Sequence, residues 1–422
     1  MHPNAILESC AELVGQVLKF DHPTDAVVQR YFRENRSLGP RERATLAETA
    51  YAVVRRKLLY EHLARPGSGP RERRLAILGF AGPRDFLLGA LTEQEKEWLQ
   101  ACDAMPPSEL QDRHRHNLPE WLVPPLQEQL GEEFWPLVES LDEPAPLDLR
   151  VNALTDKRED VRQELKLAGI ATRLTPYSPW GLRVEGKPAL TKLDAFARGA
   201  IEIQDEGSQL LALITDARRG QMVVDFCAGA GGKTLALGAA MRNTGRLYAF
   251  DTSAHRLDNL KPRLARSKLS NVHPAAIAHE RDDRIKRLAG KIDRVIVDAP
   301  CSGLGTLRRN PGLKWRQSQQ GIAELAARQT AILESAARLL KPGGRIVYAT
   351  CSMLREENEA IAEAFSAGHG QFRPVPVLEL LNQAKVADAA SLCSGEAGQY
   401  LRLWPHRHGT DGFFAAIWEK VQ

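Results

Sequence analysis

From about residue 205 onward, short runs of β-branched and aliphatic residues alternate with helical stretches, and this alternation constrains the fold more than any other feature. The strand candidates are Met222–Phe226, Leu247–Phe250, Val295–Val297, Arg345–Ala349 and a late Phe413–Trp418. They are apolar almost throughout rather than at every second residue, the pattern of strands whose sheet is covered on both faces. Between them run helical patterns such as 322–340, where Ile322, Leu325, Gln329, Ile332, Leu333, Ala336 and Leu340 recur in helical register. A parallel α/β sheet follows, with its ligand crevice beyond the carboxyl ends of the strands.

Upstream of this region the pattern changes twice. Residues 1–140 read as helical: Leu46, Ala50, Val53, Val54 and Leu58 share one face, and Gly67–Pro70 and Ala104–Pro107 break helices. The proline-rich, acidic stretch 141–146 is a linker. Residues 147–204 give strands at 147–151, 170–174, 181–184 and 201–203 and helices at 159–168 and 190–197. That β-α-β-β-α-β order is ferredoxin-like or RNA-recognition-like, without the aromatic residues that stack bases on such a sheet. The third domain is 205–422. Three domains suit a chain of 422 residues, which is too long for one ordinary core.

Six cysteines without CxxC or paired spacing argue against zinc and against a disulfide framework. The run Ala5–Val14 carries acids within its apolar stretch and reads as a helix rather than a signal peptide. No segment has the apolar length of a membrane span. A cytoplasmic, monomeric protein with no metal and no membrane partner is expected. The net charge of +4 is mild, but Arg55–Lys57, Arg71–Arg74, His114–His116 and Arg308–Arg316 are basic clusters, several with aromatic residues nearby. Such clusters suit a polyanion such as RNA, or else are solvated helix faces.

Two strands end in cysteine. Arg294-Val-Ile-Val-Asp-Ala-Pro-Cys301-Ser and Arg345-Ile-Val-Tyr-Ala-Thr-Cys351-Ser each carry a thiol to the sheet edge, about one crossover apart. Two thiols at one crevice suit covalent thiol chemistry or a redox pair, and the flanking residues favour the first. Cytosine carbon 5 becomes nucleophilic only after a thiolate adds at carbon 6, and a second group must then take the carbon-5 proton and release the thiol. Two thiols and the carboxylate of Asp298 match those needs. The first strand of the sheet ends in Asp225-Phe-Cys-Ala-Gly-Ala-Gly-Gly-Lys-Thr234. A P-loop would need glycine where Cys227 stands, so an NTPase reading fails. The glycine loop, together with Asp251 at the end of the next strand to hold ribose hydroxyls, points to S-adenosylmethionine.

These motifs resemble the RsmB/Nop2/Sun family of RNA cytosine-5 methyltransferases. Beside the loop and the two cysteine strands, Gln204-Asp-Glu-Gly-Ser-Gln209, Arg309-Asn-Pro-Gly-Leu-Lys-Trp315 and Asp411-Gly-Phe-Phe414 match, and Arg41–Arg55 is similar to a NusB-type RNA-binding domain. The resemblance implies a helical NusB-like domain, a small ferredoxin-like module and a Rossmann-like class I methyltransferase domain. It implies Cys351 as nucleophile, Cys301 as the thiol assisting product release and Asp298 as a contact to the cytosine ring. It places the cofactor on Cys227, Ala228, Gly229, Ala230, Gly231, Gly232, Lys233, Asp251, Arg256, Asp282 and Asp298, and RNA on Arg308, Arg309, Lys314, Arg55 and Arg56. The implied substrate is 16S rRNA, with tRNA or another RNA as the alternative. Ala230 departs from the family's usual proline, and the third cofactor acid has no clean counterpart in Ala278–Asp283, where Asp282 is the choice. A DNA cytosine-5 methyltransferase, whose nucleophile follows proline as Cys301 does, and a non-catalytic RNA-binding assembly factor are the rival readings. The absence of an Asn/Asp-Pro-Pro-aromatic site speaks against amino-group methylation.

Overall fold

The computed structural model describes residues 2–421, which form two units. Of these, one comprises residues 2–144 with the segment Leu307–Ser318, the other residues 145–306 and 319–421.

The first unit is helical. Helix Pro3–Val17 starts with proline at its first position, where the missing N–H costs nothing, and buries Ile6, Leu7, Cys10, Leu13, Val14 and Val17 at helical spacing. Helix Pro40–Arg55 buries Leu46, Ala50, Val53 and Val54, the face expected from the sequence, and its start is capped by the Glu42 carboxylate, which accepts the Gly39 N–H at 2.6 Å. Leu58 lies beyond a break at Arg56, on the next helix, Lys57–Leu63. Burial pushes the Cys10 thiol up to about 12, as befits an inert core residue.

Leu307–Ser318 joins this helical core although it lies between two strands of the other unit in sequence. The Trp315 indole donates to the Val54 carbonyl at 2.8 Å and the Lys314 ammonium to the Arg55 carbonyl at 2.9 Å, capping the end of helix Pro40–Arg55. Arg55 in turn donates to the Arg308 carbonyl at 2.8 Å.

The second unit holds two sheets. Strands β1 (Leu147–Val151), β2 (Thr172–Leu174), β3 (Gly181–Val184) and β4 (Ile201–Ile203) form an antiparallel sheet in the order β2-β3-β1-β4. Helix Arg158–Leu167 follows β1 and a shorter one, Asp194–Ala197, precedes β4, the ferredoxin-like arrangement expected. The second expected helix, 190–197, is split: Leu190–Lys192 is a separate 3₁₀ turn, with extended Leu193 between the two. One face of this sheet buries Leu149, Val151, Leu182 and Ile201 against its helices. The other carries Asp148, Arg150 and Glu202, also buried, each at most 5% exposed. The face on which an RNA-recognition module would stack bases is thus closed here by charged side chains.

The large sheet contains β5 (Met222–Asp225), β6 (Arg246–Asp251), β7 (Val272–Ala276), β8 (Ile292–Asp298), β9 (Leu340–Thr350), β10 (Phe372–Pro374), β11 (Cys393–Ser394), β12 (Tyr400–Leu403) and β13 (Phe413–Lys420). Its order is β11-β12-β13-β9-β8-β5-β6-β7, with β10 also on β13. Strands β5 to β9 run parallel, and β13 is antiparallel to β9. The chain passes outward from β5 through β6 to β7, then returns to β8 on the other side, so the topological switch point lies between β5 and β8. Val223, Val224, Val295, Ile296, Ile346 and Val347 at the centre are at most 1% exposed, the covered parallel core expected from the sequence.

Candidate active site

Sheet register brings the two thiols together. Asp298 pairs with Ala349 across β8 and β9, so the turns that follow leave the sheet side by side. The Cys301 and Cys351 sulfurs stand 3.4 Å apart, within hydrogen-bonding distance and unbridged. The hydrogen bond from Cys351 and burial push the Cys301 thiol well above its ordinary range, so Cys301 keeps its proton while paired. Cys227, in the turn after β5, is also pushed well up, chiefly by burial, which makes it a poor nucleophile.

A buried carboxylate frames both turns. Glu357 is fully buried; it accepts the Ser302 N–H at 2.8 Å, the Ser302 hydroxyl at 2.5 Å, the Gln329 amide at 3.0 Å and the Ser352 hydroxyl. The serine beside each cysteine is therefore tied to one side chain. Gln329 also donates to the Pro300 carbonyl at 3.0 Å, and the neighbouring Asn358 donates to the Ser352 carbonyl at 3.0 Å. No motif in the sequence marks Glu357 as part of this site. The signal available was two acids and an amide directly after a buried turn, where buried polar groups demand partners.

The glycine turn and Asp251 lie one and two strands away. After β5, Gly231 N–H closes a turn on the Ala228 carbonyl at 2.8 Å, with Gly229 at φ +56° and Gly231 at φ +84°. A Cβ on Gly231 would lie 2.1 Å from Leu260, so this position admits only glycine, whereas Gly229 faces open space. Helix Gly232–Ala240 starts directly after the turn with its N–H groups unpaired along the axis. Asp251, at the end of β6, is 6% exposed; its two oxygens accept the Gly229 N–H at 2.8 Å and the Ser253 N–H at 2.7 Å. Each oxygen retains a lone pair, so a fixed carboxylate beside an open glycine turn fits a nucleoside's ribose hydroxyls. Asp251→Ala should weaken S-adenosylmethionine binding about tenfold, the loss of charge-assisted hydrogen bonds. Calorimetry showing unchanged affinity would remove Asp251 from the site.

Lys233 and Asp298 form an ion pair at 2.6 Å, joining the glycine turn to the strand that leads to Cys301. Burial alone would lower the Lys233 pKa, but Asp298 more than offsets it and the net shift is upward. Beneath them Asp225 is fully buried, accepts the Thr234 hydroxyl at 2.6 Å through one oxygen and lacks a partner on the other. Burial pushes its carboxyl from 3.8 up to about 7, against the smaller opposing pull of Thr234. A raised carboxyl means that the folded state holds a proton the unfolded chain has released, so this group's contribution to stability is full below about pH 4 and lost as pH rises through 7. Asp225→Asn should therefore gain stability relative to the parent chain between pH 5 and pH 8, read from urea midpoints. A difference that does not change with pH would show that Asp225 is not protonated.

The remaining expected residues are placed as follows. Arg256 is exposed on the first turn of helix Ala254–Ser267, beyond Asp251. Asp282 is half-buried and caps the short helix Asp283–Lys286, accepting Arg284 N–H at 2.9 Å and Ala278 N–H at 3.0 Å, which puts its carboxylate by the turn after β7. Arg308 donates to the Pro144 carbonyl at 3.0 Å, and Arg56 pairs with Asp142 at 3.2 Å. Arg309 is half-buried. Lys314 corrects the expectation: it is 4% exposed, committed to the Arg55 carbonyl and lowered to about 7 by burial. An ammonium buried this way, shifted toward its neutral form and bonded to the end of helix Pro40–Arg55, offers no face to a phosphate. Arg55, bonded to Arg308, belongs to the same structural cluster.

A parallel sheet with a switch point, a glycine turn opening a helix and a tethered acid on the neighbouring strand define a Rossmann-type domain suited to a nucleoside cofactor. The chain matches the 16S rRNA methyltransferase RsmB/F family over residues 212–419 and the RsmF/B-like ferredoxin-like domain over residues 118–191. It is 31% identical to a probable ribosomal RNA small subunit methyltransferase B of Synechocystis over 97% of this chain and 98% of that one. It is also 31% identical to a probable enzyme of the same name from Bacillus subtilis, over 82% and 75% of the two chains. The crystal structure of PH0851 aligns with a TM-score of 0.80 at 27% identity, over 99% of this chain and 98% of that one. A methyltransferase homolog from Pyrococcus horikoshii aligns with a TM-score of 0.62 at 27% identity, over 75% and 100%. The chain belongs to the RsmB/F family of S-adenosylmethionine-dependent rRNA methyltransferases. Among the described residues no helix is long and apolar enough to cross a membrane, and no cluster of three or more metal-ligating side chains occurs.

Proposed function

We propose that this protein methylates carbon 5 of a cytosine in 16S rRNA through a covalent adduct on Cys351, in the cytoplasm. The observation that carries this reading is the pair of thiols 3.4 Å apart at the ends of adjacent strands, next to the switch point where the glycine turn lies. Methylation of an exocyclic amine, a ribose or a ring nitrogen uses the substrate's own lone pair and needs no thiol, whereas carbon 5 of cytosine has none to offer. The Cys351 thiolate adds to carbon 6, and the electron pair of the 5,6 double bond is pushed to carbon 5. S-adenosylmethionine, when bound, would supply the electrophilic methyl group to carbon 5, its sulfonium leaving as the thioether S-adenosylhomocysteine. Carbon 5 then carries both methyl and hydrogen; a base removes the proton, its electrons restore the double bond, and the bond from carbon 6 to the Cys351 sulfur breaks. Cys301, held against the departing sulfur, assists this last step. Asp298 addresses the ring while Lys233 fixes its carboxylate.

The helical unit is assigned as a NusB-type RNA-binding domain. Support comes from Arg30, Arg33, Arg36 and Arg41, all exposed around the turn between helices Thr24–Glu34 and Pro40–Arg55. These arginines, rather than the buried Lys314, present positive charge to a phosphate backbone. Bisulfite sequencing of unmodified 16S rRNA and tRNA incubated with the protein and S-adenosylmethionine, with mass analysis of the product nucleosides, tests the reading. One protected cytosine is expected. Methyl transfer to a purine or a ribose overturns the chemistry, and transfer to tRNA alone overturns the substrate.

A further inference from the structure

An arginine links the small antiparallel sheet to the glycine turn. Arg263, on helix Ala254–Ser267, donates from one terminal nitrogen to the Ala230 carbonyl at 2.6 Å. Its Nε and other terminal nitrogen grip Glu202 at 3.1 and 2.9 Å. Glu202 lies on β4 of the small sheet, its side chain 6% exposed, and its second oxygen accepts Arg266 at 2.7 Å. The guanidinium lies over the start of helix Gly232–Ala240: a Cβ on Gly232 would have Gln204 at 3.5 Å and Arg263 at 3.9 Å as its nearest neighbours.

The turn needs such a restraint. Three of its four residues from 229 to 232 are glycine, which leaves the unliganded backbone unusually free, and ordering it opposes binding. Ala230 is the one residue there with a side chain, and alanine restricts φ far less than proline. A rigid, forked, always-charged donor anchored on a buried carboxylate removes that freedom from outside the loop.

We propose that Arg263 is a positioning residue for S-adenosylmethionine, pinning the Ala230 carbonyl so that the glycine turn is held in its binding shape, with Glu202 of the small sheet fixing Arg263. The ferredoxin-like module is then part of the cofactor site's support as well as a neighbour of it. The inference rests on the glycine turn being the cofactor loop, which binding of S-adenosylmethionine by the unaltered chain tests separately.

Calorimetry on the full chain, with hydrogen exchange of the loop amides, decides the matter. R263A should raise the Kd for S-adenosylmethionine about tenfold, the loss expected for one charge-assisted hydrogen bond and its ordering effect. It should also speed exchange across residues 226–233. R266A removes an ion pair to the same Glu202 without touching the loop and should leave both readings near those of the unaltered chain. The proline in A230P fixes φ from within, so A230P/R263A should recover most of the affinity that R263A loses. Equal losses in R263A and R266A would trace the effect to the sheet contact in general and overturn the proposal. So would R263A with unchanged affinity or with unchanged exchange in the loop.

Discussion

Cys301→Ala protein incubated with RNA and S-adenosylmethionine is expected to accumulate as a denaturation-resistant covalent complex, whereas Cys351→Ala protein forms neither product nor complex. The asymmetry follows from what each sulfur is asked to do. Without Cys351 nothing adds to carbon 6, carbon 5 stays unactivated, and turnover should fall on the order of 10⁴-fold or more, as when other enzymes lose their nucleophile. Without Cys301, attack and methyl transfer still proceed, but the carbon-5 proton and the Cys351 sulfur leave slowly, so the methylated adduct persists. The 3.4 Å separation makes this exchange of roles a sharp test, because either sulfur is near enough to the other to have been the attacker. A shifted band with Cys351→Ala and none with Cys301→Ala would reverse the assignment and restore the DNA-type order, in which the thiol after proline attacks. Full activity in both variants would make the thiols structural.

How far the sequence carried the reading depends on where each residue's partners lie along the chain. The strands β5, β6, β8, β9 and β13 were legible because burial on both faces writes itself as an uninterrupted apolar run. The thiols were legible because each follows such a run directly. β12 was not: its four residues are buried, yet they include Arg402, whose guanidinium donates to the Met353 carbonyl at 2.8 Å and lies 4.3 Å from the Trp404 ring centroid. An arginine in the middle of a short run reads as surface until its partners are known. The same ambiguity attends Lys314 within Arg308–Arg316. Basic residues beside a tryptophan suit RNA on composition, but Lys314 and Trp315 find backbone carbonyls some 260 residues earlier in the chain, at separations of 259 and 261. No local pattern announces a contact of that range. Gln204–Gln209 and Asp411–Phe414, matched as separate motifs, meet in space: Asp205 accepts the Asp411 N–H at 3.1 Å, and a Cβ on Gly207 would lie 2.5 Å from Phe413. Their matching is explained by one junction, beside the small sheet, rather than by two functions.

Glu357 gives the second large effect, and it separates holding the thiols from binding the cofactor. Truncation to alanine strips four hydrogen bonds from a fully buried carboxylate and leaves Ser302, Ser352 and Gln329 facing an apolar void. Bonds to a charged acceptor contribute about 1.5–3 kcal/mol each and are not additive here, so a net loss of about 3 kcal/mol or more is expected. For a domain of this size that lowers the melting temperature by roughly 6–12 °C. Activity should fall further than stability implies. The serines that Glu357 holds are covalent neighbours of Cys301 and Cys351, and displacing a reacting group by about 1 Å costs on the order of 100-fold. That loss belongs in kcat. Asp251 and the glycine turn are tied to each other and not to Glu357, so S-adenosylmethionine affinity should stay within about twofold when measured below the lowered melting temperature. Glu357→Gln keeps one acceptor oxygen, and the two serine hydroxyls can rotate to accept from its amide, so it should recover most of the stability and part of the rate. The covalent complex supplies the decisive reading: Glu357→Ala placed on Cys301→Ala should trap RNA far more slowly than Cys301→Ala alone, because attack by Cys351 is what a displaced turn impairs. Equal trapping rates would mean that Glu357 supports the fold without aiming the nucleophile, and a parallel loss of cofactor binding would mean that the whole sheet edge, not the pair of turns, depends on it.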